Sequence, residues 1–319
     1  PTSFPPRRVR PMPNLYASKR PHELHYSANA DDFRRRFERH LGQGLTEFIS
    51  NHVPGTNKGV ALLTGSISDG IGNEVSDADL MVILDTDGPV ELAPCRFGEA
   101  PASVKTAGAG ALELAVIDGV IGGVETDIAV ISGRRLGELC AALDRGGTSL
   151  QEDEIRTLTR IKRGWVLADE TGYLATFDSL MRGIGLEIYC STTYYSLALK
   201  RLEDAFPAAE TNADLSAHLG RLGIEHGFHA YLAGLGYCYP SAKWLSLLDR
   251  YGGEPILDRG VDLLFPPRMT HADDLRRYLT DAQAFVGDIR ALIERDRTLR
   301  IAFEYCPQIY RPAFALAAS

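Results

Sequence analysis

Asp77 and Asp79 stand one residue apart at the head of an apolar run, Leu80-Met-Val-Ile-Leu84. In an extended strand successive side chains point to opposite faces, so this spacing projects both carboxylates from the same face at the strand's start. Two such anions about 4 Å apart repel by about 4 kcal/mol at an effective dielectric near 20, which calls for a cation between them. Magnesium, an ion that prefers oxygen ligands, would remove that cost. Upstream, the apolar run Val60 to Leu63 delivers Gly65-Ser66 at its end. Glycine lets a phosphate approach the backbone closely, and Ser66 offers a hydroxyl and an N–H to its oxygens. Two strands therefore frame a stretch that pairs a phosphate cradle with a metal-binding edge.

The spacing Gly-Ser-x-x-x-Gly, five residues, then Ser-Asp-x-Asp-Leu is carried by Gly65, Ser66, Gly70, Ser76, Asp77, Asp79 and Leu80. It resembles the nucleotidyltransferase motif of the DNA polymerase beta superfamily. The resemblance covers about a quarter of the chain and implies two magnesium ions held by Asp77, Asp79 and a third carboxylate from a nearby strand. It also implies a nucleoside triphosphate donor whose α-phosphate is attacked by an acceptor group. Nucleotide contacts then fall to Gly65, Ser66 and Ser76.

A second pair of strands follows: Ala111 to Ile117, a glycine-rich turn from Asp118 to Gly123, and Val124 to Ile131. Alternation puts Val124, Thr126, Ile128 and Val130 on one face, with Asp127 and Glu125 on the other. In the superfamily the third carboxylate lies on a strand of this kind, which nominates Asp127, with Glu113 in reserve.

To position these residues the chain needs a sheet and something to cover it. Phe33, Phe37, Leu41, Leu45 and Phe48 recur at helical spacing between Asp31 and Asn51, predicting one amphipathic helix packed on the sheet. Beyond Gly147 the texture becomes helical, with helices predicted at residues 151–163, 177–205, 213–235, 241–250 and 272–296. Residues 1–29 are rich in proline and arginine and read as an extended arm. The resulting division is an arm at 1–29, a nucleotidyltransferase domain at 30–150 and a helical substrate- and nucleotide-binding domain at 151–319. The fold class is α+β, a small mixed sheet followed by a mainly helical domain, a layout that resembles the antibiotic-adenylylating (aminoglycoside) branch.

In the helical part, Tyr237-Cys-Tyr-Pro-Ser-Ala-Lys-Trp244 resembles a pattern that follows small bacterial nucleotidyltransferase domains. There Lys243 would meet phosphate, since a cation in a helix's first turn opposes the helix dipole. The need is real: Asp69 stands where many relatives carry a base, and no lysine or arginine occurs between Lys58 and Arg96. Arg160 and Lys200 are the other candidates. His226 and His229, three apart with His218 nearby, read as cleft or surface residues.

A net charge of -8 points away from nucleic acid as a partner and suits a cationic or neutral small-molecule acceptor. Five scattered cysteines suggest neither a disulfide framework nor a zinc site, and no apolar run reaches membrane-spanning length, so a cytoplasmic setting is expected. The activity expected is transfer of a nucleoside monophosphate, AMP from ATP first, to an acceptor hydroxyl with release of pyrophosphate. Protein- or RNA-modifying transfer, and a non-catalytic nucleotide-binding protein, are the alternatives.

Overall fold

The computed structural model describes residues 28–52, 59–69, 76–87, 90, 96–97, 100–101, 103–106, 114–144, 150–169, 172–175, 185–238, 245, 255–266, 269 and 272–305. The chain is α+β. It opens with α1 (Ala28–Leu41) and α2 (Leu45–His52), then β1 (Gly59–Thr64), the single turn α3 (Gly65–Ser68) and β2 (Ala78–Leu84). Short strands β3 (Arg96–Phe97), β4 (Ala100–Pro101) and β5 (Ser103–Thr106) lead to the hairpin β6 (Leu114–Ile121) and β7 (Val124–Ser132). Helices α4 (Gly133–Asp144) and α5 (Glu152–Arg163) and strand β8 (Trp165–Ala168) complete the sheet region. The helical region comprises α6 (Leu186–Ala208), α7 (Ala213–Gly234), α8 (Pro255–Leu264), α9 (Ala272–Ile293) and α10 (Arg297–Tyr305).

The sheet has the order β5-β6-β7-β2-β1-β8, antiparallel throughout except for the parallel pair β2–β7. The central strands read as near-continuous apolar runs because both faces are covered. On one face Ala61, Leu63, Leu80, Val82, Ile128 and Val130 meet Phe37, Leu41, Leu45 and Phe48 of α1 and α2. On the other, Val60, Leu62, Met81, Ile83, Ala129 and Ile131 meet Leu136 and Leu139 of α4 and Leu158 and Ile161 of α5. That second core continues into Leu186 and Cys190 of α6 and into Ala233 and Cys238.

The predicted first helix is two. The chain breaks at Gly42, whose φ of +77° is open to glycine at little cost, and restarts at Leu45. The apolar stripe survives the break and packs on the sheet as expected. Helices predicted at 151–163, 213–235 and 272–296 match α5, α7 and α9 within three residues at each end. The predicted 241–250 helix lies almost wholly outside the described residues. Strand β8 and helices α4, α8 and α10 were not expected.

In the helical region α6, α7 and α9 close around Leu202, Ile224, Phe228, Leu279, Phe285 and Val286. Glycine lets α8 approach this core. A Cβ on Gly260 would lie 2.3 Å from the Phe285 ring and 2.5 Å from Phe228. Among the described residues no helix is long and apolar enough to cross a membrane.

Candidate active site

Backbone register builds the site. Thr64 of β1 pairs with Asp79 of β2, Asp79 with Asp127 of β7, and Asp127 with Asp118 of β6. Residues paired in register share a face, so one threonine and three aspartates form a single row across four adjacent strands. The row lies on the face of Met81, Ile83 and Ala129, toward α4, α5 and the helical region. Asp77, exposed just before β2, is two residues from Asp79.

Burial pushes the Asp127 carboxyl above the usual carboxylate range, and Asp118, Asp79 and Asp77 push it further, with Arg160 opposing them.

Gly65 binds the glycine turn to this row. Its φ is +74°, and a Cβ there would lie 2.2 Å from Oδ2 of Asp79, so both conformation and space demand glycine. The Thr64 hydroxyl donates to the Asp79 carbonyl at 3.1 Å. Inside the turn, the Asp69 N–H and the Ser68 hydroxyl both donate to the Gly65 carbonyl, at 3.0 and 2.9 Å. Ser66 is buried, and Ser76 lies half-buried at the approach to β2. Gly70, Glu113 and Lys243 lie outside the described residues.

Cations arrive from α5, whose sequence runs from Glu152-Asp-Glu154 in its first turn to Arg160, Lys162 and Arg163 in its last. That polarity follows the helix dipole, and Glu154 also accepts a hydrogen bond from the Gln151 N–H at 2.7 Å. Each last-turn cation meets a carboxylate: Arg160 meets Asp79 at 2.9 Å, Lys162 meets Glu187 at 2.7 Å and Arg163 meets Asp69 at 2.7 Å. The Arg163 guanidinium also lies 3.7 Å over the ring of Tyr237. Among the described residues no three histidine, cysteine, aspartate or glutamate side chains are gathered as a metal-holding set. In this arrangement Arg160 answers the charge of Asp79.

Sequence reasoning put Asp79 and Asp127 on strands, where the structure has them, and Asp77 at the start of the strand, where the structure has it one residue before β2. It missed Asp118, read as part of a turn. Only Gly122-Gly123 turn, and a two-residue Gly-Gly turn carries the register that sets Asp118 opposite Asp127. Arg163 was missed as well, though a basic last turn on α5 was visible. Lys200 bonds Asp204 and Glu203 of its own helix. His229 is buried rather than at the surface, packed with His226 and Tyr194 at ring-centroid distances of 5.6 to 6.3 Å, while His218 is exposed.

No model of a known protein family matches the chain, and no curated protein matches it. Among solved structures it is similar to the crystal structure of a nucleotidyltransferase-like protein from Exiguobacterium sibiricum 255-15. The identity is 13%, the TM-score 0.40, and 80% of this chain and 75% of that one are covered.

Proposed function

We propose that the chain is a magnesium-dependent nucleotidyltransferase that moves a nucleoside monophosphate, AMP from ATP first, to a hydroxyl of a small-molecule acceptor. The observation that carries this reading is the register row, in which the motif carboxylate Asp79 lies beside Asp127, with Gly65 of the glycine turn packed against Asp79.

The donor atoms suit a hard cation, although the three side chains do not stand gathered as a metal-holding set. Asp77, Asp79 and Asp127 offer only carboxylate oxygens, and their repulsion is the cost that such an ion removes. These three residues would hold two magnesium ions, which supply activation of the acceptor hydroxyl and charge relief for the departing pyrophosphate. Asp127, on the strand beside Asp79, also takes the acceptor's proton. Gly65 makes room for Asp79, and the turn that it opens is proposed to receive the phosphate. Arg160 shares Asp79 and supplies positive charge to the triphosphate side, a part assigned also to Lys243. The antibiotic-adenylylating branch remains the proposed relative.

One observation favours a rival, a nucleotide-binding protein without catalysis: Arg160 already neutralises Asp79. Incubation with magnesium, each nucleoside triphosphate and an acceptor panel, read by mass, separates the readings. Transfer predicts pyrophosphate and an acceptor heavier by one nucleoside monophosphate. Label on protein or RNA alone would redirect the acceptor class, and nucleotide binding without pyrophosphate would sink the enzyme reading.

A further inference from the structure

Arg163 makes two contacts that use different parts of one guanidinium. In its plane, Nε–H donates to Oδ1 of Asp69 at 2.7 Å, and across its face lies the Tyr237 ring at 3.7 Å. A planar cation can do both at once, whereas a lysine ammonium cannot. The contacts are sheltered: the side chains of Arg163 and Asp69 are 16% and 7% exposed, and Tyr237 is 1% exposed. Water therefore screens them little.

The two partners belong to different parts of the molecule. Asp69 closes the glycine turn, and because its N–H bonds the Gly65 carbonyl, a shift of Asp69 is passed to the residue packed on Asp79. Tyr237 leaves the end of α7 in the helical region, beside Cys238 in the core that reaches the sheet. Between them, the end of α5 is fixed. A Cβ on Gly164 would lie 2.9 Å from Leu62 and 3.2 Å from Thr64, so this point sits hard against β1. One turn earlier Arg160 holds Asp79, and Lys162 holds Glu187 at the start of α6.

We infer that Arg163 is a positioning residue that clamps the glycine turn Gly65–Asp69 to the helical region through Tyr237, so that the turn's readiness for a triphosphate depends on a residue outside the sheet. The part concerning the triphosphate rests on the proposed function; the clamp itself does not. Aromatic stacking fixes the guanidinium's plane, and the fixed plane aims Nε at Asp69.

The test compares Tyr237→Leu, which removes the ring, Tyr237→Phe, which keeps it, and Arg163→Lys, which keeps charge without the plane. Hydrogen exchange in the nucleotide-free full chain should speed up at the amides of residues 66–69 by about tenfold in Tyr237→Leu and Arg163→Lys, the size of a sheltered cation–π contact, while β2 amides keep the parent's rates. Tyr237→Phe, which loses only the hydroxyl, should stay nearer the parent than Tyr237→Leu in this exchange. In titrations with magnesium and a non-hydrolysable ATP analogue, the same two variants should bind about tenfold more weakly. Unchanged exchange in the turn in both variants would overturn the clamp, as would equal acceleration of every amide, the mark of general loosening. A parent that binds no nucleotide would count against the proposed function alone, because the exchange experiment still decides the clamp.

Discussion

The polar row of the sheet and the interior of the helical region solve burial in opposite ways. Between the helices, buried hydroxyls return to nearby carbonyls: Ser191 donates to Ala230 and Ser216 to Ala205, each at 2.8 Å. They are neutral and locally satisfied, which is the inexpensive way to bury a polar group. In the sheet, three aspartates stand side by side in register, and the cation that meets Asp79 comes from a helix far along the chain. Glycine also serves two purposes. Gly260 makes room for two phenyl rings, whereas Gly65 makes room for a carboxylate. The helices answer these hydroxyls with their own backbone, although His226 Nδ1, His229 Nε2 and the Tyr278 hydroxyl are buried there without a hydrogen bond; the row keeps its charges crowded and takes its cation from outside the strands.

The widest gap between the regions should be seen in turnover. Asp77→Asn, Asp79→Asn and Asp127→Asn should each lower nucleotidyl transfer by about 100-fold or more, the scale of lost metal or transition-state contacts. Near-normal rates in all three would remove the reason for treating the row as a site. Without metal the variants should diverge in stability. Asp127→Asn holds or raises the melting temperature by relieving crowding, while Asp79→Asn breaks the Arg160 pair and costs about 1 to 3 kcal/mol in denaturant unfolding.

Gly260→Ala should cost about 1 to 3 kcal/mol by overpacking Phe285 and Phe228, with activity per folded molecule retained. Gly65→Ala should do the reverse in emphasis, losing activity beyond its effect on melting. If Gly260→Ala abolished transfer in well-folded protein, the contrast would fail.

A further effect on stability should follow pH. Burial lowers His226 to about 4 and His229 to about 3, so both are neutral in the native state where the unfolded chain, with values near 6.5, binds protons. Stability therefore falls as pH drops below about 6.5 and goes on falling until the native-state values are reached, by up to about 1.4 kcal/mol per pH unit per histidine. Denaturant melts of His226→Phe/His229→Phe should show a flatter slope over that window; an unchanged slope would mean that other groups set it. Least of all, Lys200→Ala should leave melting and nucleotide affinity near the parent's values, because Lys200 is exposed and its pairs lie along its own helix. A drop in affinity would return Lys200 to the phosphate side.

Legibility followed distance along the chain. Asp77 and Asp79 could be read because their spacing meets a strand's two-residue period within one stretch, and Asp127 because alternation orders the strand that bears it. Asp118 was within reach too, had the turn been narrowed to Gly122-Gly123. The amphipathic pattern of α4, with Leu136, Leu139, Cys140 and Leu143 buried at helical spacing, was also there to be seen. Arg163's partners could not be seen. Nothing in the residues around Asp69 names a cation on α5, and no local pattern sets Tyr237 over a guanidinium. Those contacts exist only once the sheet and helices have packed.

Strand β8 carries a consequence for how the molecule is made. It covers the edge of β1, with Leu62 opposite Val166 and Leu63 opposite Trp165, yet it is synthesised long after the strand it covers. A chain emerging from the ribosome with only residues up to 150 would present β1 as an open edge, apolar from Val60 to Leu63, the kind of surface that pairs with another chain. It would also lack α5 and both arginines that answer Asp79 and Asp69. The sheet can close only after Ala168 has left the exit tunnel, so a stall or premature stop before that point should yield an aggregation-prone fragment rather than a smaller folded protein.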